Sequence, residues 1–546
     1  MSREAHLGDF TTTTRVLPIA GLAILIGVFA AFVAAALLRL INFFTNLFFF
    51  QRFSIAPASP ADHHLGWWVV IVPVIGAFIV GLMARYGSDK IRGHGIPEAI
   101  EAILMRQSRV EPKVAILKPV SSAISIGSGG PFGAEGPIIM TGGAFGSLIA
   151  QFFHLTASER KTLLVAGSAA GMSATFAAPV ASVVLAVELL LFEWKPRSII
   201  PVALASATAA AVRGPILGLG PVFHVPAHPA FIGWEGLAAC VLVGLLGGAL
   251  SAILTAGVYA SEDAFQKLPI HWMWWPPIGG LIIGIGGLIV PHALGVGYDV
   301  IDNLLSGDMP VRVVVGILLV KSMIWALSLG SGTSGGVLAP LLMMGAALGA
   351  LEAHVLPFEG AGFWALVSMG SILGGAMRAP LAGVVFALEL TSDVNMLLPL
   401  LIAVTIAYGF TVLTMKRSIL TEKIGRRGYH LSQEYSIDPL EIMFAREVAR
   451  PLTGDILADA RAHGVVAYED EPLRVVAYRM AEKGLTRLPV LSRIGSDTLG
   501  VIELSDLLSA RTRVLDAEQR RERILGTRTQ LRAIAALFGG DRKRSA

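Results

Sequence analysis

One glutamate stands out because its neighbours are suited to place a carboxylate at the start of a buried helix. Glu135 lies in the sequence GAEGP at residues 133–137, between long apolar runs. Pro137 suits the first turn of a helix, where its missing N–H removes no hydrogen bond. The free N–H groups of a helix start, together with the helix dipole, favour an anion at that point. Glu135 is therefore predicted to compete with a permeating anion for this position; the alternative is that it only caps its own helix.

Two other segments have the same construction. Residues 93–97 read GHGIP and residues 335–340 read GGVLAP, so that glycines again precede a proline at an expected helix start. Amide dipoles supply only partial positive charge, which binds an anion weakly enough for it to leave again. Three such helix starts predict a dehydrated anion site built without a lysine or an arginine.

The elements that must position these loops are membrane helices. Hydrophobic residues make up 54% of the 546 residues and charged residues only 15%, and half of the charged residues follow Met415. Residues 16–38, 162–187, 236–261 and 394–415 carry no charge, and each run exceeds the ~20 residues that a helix needs to cross hydrocarbon. We expect a multi-pass membrane domain followed by a soluble tail. Cys240, the single cysteine, excludes an internal disulfide and a thiolate metal cluster.

Basic clusters predict the orientation of the chain in the membrane. They lie at residues 85–92, 106–118 and 416–427. Basic segments next to membrane spans favour the cytoplasmic side. We therefore expect the C-terminal tail, and also the N-terminus, to be cytoplasmic. The mildly positive net charge gives no indication of a nucleic-acid partner.

The chain also repeats itself. GSG at 127–129, Pro137 and Gly146 recur 203 residues later as GSG at 330–332, Pro340 and Gly349. APVASVV at 178–184 recurs as APLAGVV at 379–385 with an offset of 201, which places Glu188 and Glu389 at equivalent positions. Duplicated halves, expected over about residues 16–213 and 234–415, are typical of transporters whose site lies where broken helices meet. The repeat alone leaves open whether the halves are inverted or parallel.

Together these segments resemble the chloride channel and transporter (CLC) family. GHGIP is similar to its GSGIP motif, GAEGP to GxEGP and GGVLAP to GGxFAP, in the family's order and within about residues 17–427. The resemblance implies an all-α membrane protein of two inverted repeats of tilted and broken helices. It further implies a homodimer with one anion pathway per subunit, in the bacterial inner membrane. Glu135 would be the external gating glutamate, and Glu188 and Glu389 are interpreted as paired structural acids.

The amides of Val337 and Leu338 would help to bind the central anion. The candidate anion-binding residues are His94, Gly95, Ile96, Gly133, Gly136, Val337 and Leu338.

Four positions depart from the family pattern. His94 replaces a serine that binds the anion, Leu420 a tyrosine, Leu189 an internal proton-transfer glutamate and Ala134 a basic residue. Histidine titrates near neutral pH, so its ring can donate an N–H when neutral and carry a positive charge at low pH. His94 is therefore predicted to contact the anion. The alternatives are a proton relay and a neutral histidine bonded to the backbone. Without an acid at position 189, proton coupling rests on water or another residue.

The tail resembles a CBS motif, in a domain expected at 428–515. Residues 470–480 predict a helix, 487–491 and 499–503 two strands, and 504–508 a helix start capped by Ser505. The resemblance implies adenine-nucleotide binding with Asp506 near the ribose, and no other cofactor or metal. Residues 1–15 would form an N-terminal segment, 16–427 the membrane domain, 511–532 a solvated terminal helix and 516–546 a charged tail.

The predicted function is transport of chloride in exchange for protons, gated by Glu135, with membrane lipid as a further partner. The alternative is a passive or weakly coupled channel, for chloride or another anion such as nitrate or fluoride. A nucleotide-sensing receptor or scaffold would leave the duplicated helix starts unexplained. A membrane enzyme is not expected, because the histidines outside these motifs are scattered and lack metal-ligand spacing.

Overall fold

The computed structural model describes residues 12–307, 309–428, 440, 443–450, 465–492 and 498–510. The chain forms two compact units, residues 1–433 and residues 434–546. The helices of the first half are α1 (Val16–Phe50), α2 (Ile71–Tyr86), α3 (Ile96–Met105), α4 (Pro112–Gly127), α5 (Glu135–Gln151), α6 (Ala157–Phe176), α7 (Pro179–Ala186) and α8 (Pro196–Leu217).

The second half of this unit is also helical. Its helices are α9 (Trp234–Gln266), α10 (Trp275–Ile289), α11 (Tyr298–Ser306), α12 (Val311–Gly316), α13 (Ser322–Gly330), α14 (Leu338–Glu352), α15 (Phe363–Met377), α16 (Pro380–Thr391), α17 (Leu397–Thr414) and α18 (Thr421–Arg426). Single π-helical turns at Val187–Leu191 and Ile317–Lys321 follow α7 and α12.

Seven helical segments in the described part of the chain are long and apolar enough to cross a membrane. They include α1, α9 and α17, which contain the charge-free runs 16–38, 236–261 and nearly all of 394–415. This agrees with the predicted multi-pass membrane protein. Shorter apolar helices, among them α14, α15 and α16, lie between the long ones.

The charge-free run 162–187 is not one spanning helix, so this part of the prediction was wrong. It is divided between α6 and α7, with Ala177 in the left-handed region at φ 54°. Pro179 explains the break, because proline disfavours a helical conformation at the preceding residue and has no N–H to continue the ladder. The second half repeats the break: Arg378, at φ 56°, ends α15 before Pro380 begins α16.

Each of the two equivalent glutamates caps the start of a helix in the opposite half of the chain. Glu389 accepts hydrogen bonds from the N–H groups of Val180 and Ala181 at 3.0 and 2.7 Å, and Glu188 accepts them from Leu381 and Ala382 at 3.2 and 2.9 Å. Each carboxylate thus satisfies free amides at the first turn of α7 or α16. This reciprocal capping agrees with their interpretation as paired structural acids.

The second unit contains a three-stranded sheet and a packed helix. Strands β1 (Ala467–Tyr468) and β2 (Arg487–Leu491) are parallel, and β2 pairs antiparallel with β3 (Thr498–Glu503). Helices α19 (Ala445–Val448) and α20 (Leu473–Lys483) complete the named elements. The predicted strands are confirmed, and the predicted helix at 470–480 begins instead at Leu473.

The predicted cap at Ser505 was wrong. The carboxylate of Asp506 accepts the N–H of Glu503 at 2.9 Å, whereas the Ser505 hydroxyl donates to the Glu503 side chain at 3.4 Å. An acid three residues into a helix can reach back to the N–H at its start, which here replaces a serine cap. The predicted terminal helix at 511–532 and the tail at 516–546 lie outside the described residues, as do residues 1–11.

Candidate functional site

Three helix starts meet in the first unit, as the glycine-proline pattern predicts. Helices α3, α5 and α14 begin at Ile96, Glu135 and Leu338. Short backbone bridges join the loops that precede them. Gly93 pairs with the loop of α14, donating its N–H to Thr333 at 3.1 Å and accepting the N–H of Gly335 at 3.4 Å. The loops of α3 and α5 therefore both lie against the loop of α14.

Two glycines permit this close approach of backbone to backbone. A Cβ added at Gly136 would lie 1.9 Å from the carbonyl oxygen of His94. A Cβ at Gly336 would lie 2.6 Å from the carbonyl oxygen of Gly133. Since neither neighbour is a movable side-chain end, any larger residue would push the helix starts apart.

The converging helix starts leave several amide donors free. In the described part of the chain, no backbone carbonyl accepts from the N–H groups of Ile96, Gly136, Val337 and Leu338. All four residues are fully or almost fully buried. Buried N–H groups need an acceptor, and an anion between the helices would supply one. The structure thus brings together candidates from all three segments.

The Glu135 side chain lies at this point of convergence. Its Oε2 atom would be 1.7 Å from a Cβ on Gly133 and 2.8 Å from one on Gly336, so the carboxylate folds back between the two halves. The Tyr298 hydroxyl donates to Oε1 at 3.3 Å, while Oε2 has no hydrogen-bond partner among the described residues. The N–H of Ala339 is also close enough to stabilise a negative charge on the carboxylate. The carboxylate therefore lies where the helix starts would hold an anion.

His94 lies at the wall of a cavity of about 760 Å³. The residue is only 4% exposed, and Nδ1 is buried without a hydrogen-bond partner in the described chain. A backbone hydrogen bond through Nδ1 is thus not found among the described residues, and the three alternatives for His94 stay predictions. We call this space the charged cavity, because its lining contains seven basic and five acidic side chains. These are Lys90, Arg92, Arg106, Arg109, Lys423, Arg426 and Arg427, with Asp89, Glu98, Glu101, Glu111 and Glu262.

The other departures from the family pattern are buried and apolar. Leu189 is in the π turn after α7, and Leu420 immediately precedes α18; neither is exposed. Ala134, also unexposed, precedes α5. Next to Leu420, the carbonyl of Ile419 accepts the Tyr259 hydroxyl at 2.6 Å. No proton carrier occupies position 189, and the Tyr259 phenol is bonded to the backbone next to Leu420.

Two buried lysines bond backbone carbonyls of loops near the site. Lys118 donates to the carbonyls of Ile91 and Gly93 at 2.9 and 2.7 Å, and Lys321 donates to Gly295 at 2.7 Å. The two lysines are separated by the 203-residue offset of the repeat. Their equivalence is therefore visible in the sequence repeat. By bonding carbonyls, the lysines fix the loops.

Asp506 is already engaged within the second unit. Besides accepting the Glu503 N–H, it forms an ion pair with Arg450, and it is 5% exposed. Both carboxylate oxygens therefore have protein partners. Nucleotide binding through Asp506 stays a prediction.

Comparison with known proteins identifies both units. The family described as "Voltage gated chloride channel" matches residues 75–412, and the CBS domain family matches residues 455–513. The "H(+)/Cl(-) exchange transporter ClcA" of Klebsiella pneumoniae is 30% identical over 414 residues, 70% of this chain and 83% of the relative. The "Putative chloride channel protein ClcB-like" of Ralstonia nicotianae is 29% identical over 66% of this chain and 87% of the relative.

A solved structure has the same fold. It is described as a slow cyanobacterial Cl−/H+ antiporter and superposes with a TM-score of 0.66 at 21% identity. The alignment covers 75% of this chain and 97% of that chain. This likeness confirms the predicted architecture of the membrane domain.

Proposed function

The chain belongs to the voltage-gated chloride channel (CLC) family, and we propose that it exchanges chloride for protons across a membrane, with Glu135 as the gate. The observation that carries this proposal is the place of the Glu135 carboxylate between the starts of α5 and α14. An ionised carboxylate there competes with chloride for the same amide donors. The exchange named for the ClcA relative supports the same reading of this site.

Protonation weakens the binding of the Glu135 carboxylate at this position. A neutral carboxyl group gains much less from the amide dipoles than an ionised one, so chloride displaces it when a proton binds. The Tyr298 hydroxyl, which donates to Oε1, stabilises the occupied position. Glu135 would carry a proton when it leaves this position, and chloride would then replace it. Proton and chloride would therefore pass this narrow point alternately, which couples their movements.

The charged cavity is the proposed cytoplasmic mouth of the pathway. It extends from His94, beside the helix starts, to a rim with basic residues such as Arg106 and Arg427. The formal excess of two positive charges in its lining attracts anions toward the site. Basic residues near membrane spans favour the cytoplasm. The membrane is proposed to be the bacterial inner membrane, with the C-terminal tail in the cytoplasm.

Flux in proteoliposomes tests this function. The purified protein is reconstituted, and a chloride gradient is imposed while external pH and chloride are recorded with electrodes. Exchange predicts that protons move against their own gradient when chloride moves down its gradient. Chloride efflux without proton movement would instead establish the passive channel, and absence of chloride flux would contradict anion transport altogether. Nitrate or fluoride in place of chloride reports the preferred anion.

We further propose a homodimer with one pathway in each subunit. The dimer is supported by membership of the family alone. Exposed apolar residues on a membrane domain also contact lipid, so they do not by themselves indicate a partner subunit. Single-molecule photobleaching of a singly labelled protein in liposomes tests the assembly. Two bleaching steps in most particles are expected, whereas a single step in nearly all of them would contradict the dimer.

A further inference from the structure

A long linker joins the two halves of the membrane domain. Residues 218–233 connect α8 to α9 and form no helix or strand. Loops longer than about 12 to 15 residues without secondary structure are uncommon and usually functional. Most of the side chains in this linker are exposed or half-buried, whereas Phe223 and His228 are only 1% and 4% exposed. The linker is therefore attached to the helices at these two positions, and the contacts made there indicate its role.

His228 fastens the linker to two loops of the second half. Its Nδ1 atom lies 2.6 Å from Oδ2 of Asp393, which follows α16, and its Nε2 atom lies 2.9 Å from the carbonyl oxygen of Ala361, which precedes α15. The main chain is held as well, because the N–H of His228 donates to the same carboxylate at 3.3 Å and its carbonyl accepts the Asn395 side chain at 2.7 Å. Hydrogen bonds to a carboxylate are among the stronger ones in proteins. We call this contact the His228–Asp393 clasp.

The preceding part of the linker lies against α16 and α11. The N–H of Phe223 donates to the carbonyl of Leu390 at 3.0 Å, and the N–H of His224 donates to the carboxylate of Asp302 at 2.8 Å. The ring of Phe223 packs against the ring of Tyr298, the first residue of α11, with 6.2 Å between the ring centres and 54° between the planes. The linker thus reaches the tyrosine that contacts the proposed gate.

Tyr298 is held between two phenyl rings. Besides Phe223, the ring of Phe176 lies edge-on to it, with 6.1 Å between the centres. Contacts of this kind fix the relative orientation of aromatic rings. The Tyr298 hydroxyl donates to Oε1 of Glu135 at 3.3 Å, which is near the limit of a hydrogen bond, so a small displacement of the ring breaks it. The placement of Phe223 therefore bears directly on this bond.

We propose that Phe223 and His228 are positioning residues for the gate: the linker, closed by the His228–Asp393 clasp, holds the Tyr298 phenol against Glu135. The inference rests on the proposed function, in which the Glu135 carboxylate competes with chloride. Both residues act through Tyr298 and not on the anion itself, as supporting residues do when they lock the side chains of a site. When the clasp opens, Phe223 no longer supports the phenol, its hydroxyl leaves the carboxylate, and chloride displaces Glu135 more readily.

A double-mutant cycle tests this positioning role. Initial chloride efflux from proteoliposomes is measured for Asp393→Asn and Phe223→Leu, each alone and combined with Tyr298→Phe. Each single variant is expected to raise the efflux rate by up to about threefold, the change expected from loss of the weak Tyr298 hydrogen bond itself. In the Tyr298→Phe background neither is expected to change the rate, because the hydroxyl through which they act is gone.

Asp62→Asn is the matched control for this cycle, because Asp62 is an exposed acid whose side chain has no ion pair or hydrogen bond among the described residues. The control is expected to leave the efflux rate unchanged. Unchanged rates in both Asp393→Asn and Phe223→Leu would overturn the inference. So would equal effects of these substitutions in the two backgrounds, since a general loss of structure acts whether or not the Tyr298 hydroxyl is present.

Amide hydrogen exchange of the full-length protein in detergent tests the same coupling without transport. Wild type, Asp393→Asn and Asp62→Asn are compared over the linker and over α11. Asp393→Asn is expected to speed exchange about tenfold in the linker and also to speed it in α11, because local opening spreads to the contacts that depend on the clasp. Faster exchange in the linker alone would overturn the inference. Faster exchange in both segments of a protein that transports no chloride would support the clasp and overturn only the proposed function.

Discussion

Gly133 and Gly336 exchange a reciprocal pair of backbone hydrogen bonds. The N–H of Gly133 donates to the carbonyl of Gly336 at 3.1 Å, and the N–H of Gly336 donates to the carbonyl of Gly133 at 2.8 Å. One residue belongs to each half of the repeat, and the Glu135 carboxylate lies against both. The two halves are thus joined by main chain at the position of the proposed gate.

Gly336→Ala is expected to abolish chloride flux while leaving the protein folded. The added Cβ would lie 2.6 Å from the carbonyl oxygen of Gly133 and 2.8 Å from Oε2 of Glu135, so the loops must separate. Flux in proteoliposomes measures the effect, after gel filtration shows a monodisperse protein. Gly409→Ala is the control, since a Cβ at that position in α17 meets nothing within 4 Å. Normal flux in Gly336→Ala would contradict this role of the bridge.

Tyr298→Phe is expected to increase chloride flux at neutral pH. The substitution removes the one side-chain hydrogen bond to Glu135 found among the described residues, which makes the carboxylate easier to displace. A hydrogen bond to a charged group contributes about 1.5 to 3 kcal/mol, but the long distance of 3.3 Å favours a smaller effect, roughly threefold in rate. Initial efflux rates measure it, with Tyr408→Phe as the remote control. A slower Tyr298→Phe would show that the hydroxyl assists opening.

Glu188→Gln and Glu389→Gln are expected to lower stability by similar amounts, about 1 to 2 kcal/mol each, because charge-assisted bonds to two amides become neutral ones. Thermal unfolding in detergent, followed by tryptophan fluorescence, measures both. Glu235→Gln serves as the control, since this exposed acid has no ion pair or hydrogen bond among the described residues. Should only one of the two variants be destabilised, the reciprocal capping would not be energetically symmetric.

His94→Ala is expected to weaken chloride binding roughly fivefold, while His94→Ser retains more of it. The ring is buried at the cavity wall with Nδ1 unpaired, and a neutral hydrogen bond contributes about 1 kcal/mol. The concentration dependence of flux between pH 5 and 8 measures affinity and the pH response. His354→Ala is the control, because His354 is exposed in the turn after α14 and bonds the carbonyl of Ala350 in that helix. If affinity and pH dependence were both unchanged, neither anion contact nor proton relay would hold.

The helix starts were predictable because their cause is local. Glycine and proline set the backbone before α3, α5 and α14, whatever the rest of the chain does. The same local rule at Pro179 divides the apolar run 162–187. The absence of charge in that run indicates only its hydrophobicity and not the helix break at the proline. The interpretation of Glu188 and Glu389 as paired acids came from the repeat, whereas their partners at the first turns of α16 and α7 did not.

Contacts between distant segments were not predictable from the sequence. Tyr298 and Glu135 are 163 residues apart in the sequence. The stacking of Arg92 on Trp272 depends on how the turn before α10 packs beside the loop that precedes α3. Pattern reasoning finds what a segment can do, whereas tertiary packing decides which segment it meets. Lys118 and Lys321 are intermediate: their equivalence was visible in the repeat, but their carbonyl partners were not.

The most direct test of Glu135 as the coupling gate is a reversal potential measured under opposed proton and chloride gradients. Reconstituted wild type and Glu135→Gln are compared in the same membranes and at the same gradients. The wild type is predicted to reverse away from the chloride equilibrium potential, because each cycle also moves protons. Glu135→Gln is predicted to reverse at the chloride equilibrium potential and to lose its response to pH. A Glu135→Gln protein that keeps the wild-type reversal potential would contradict the account.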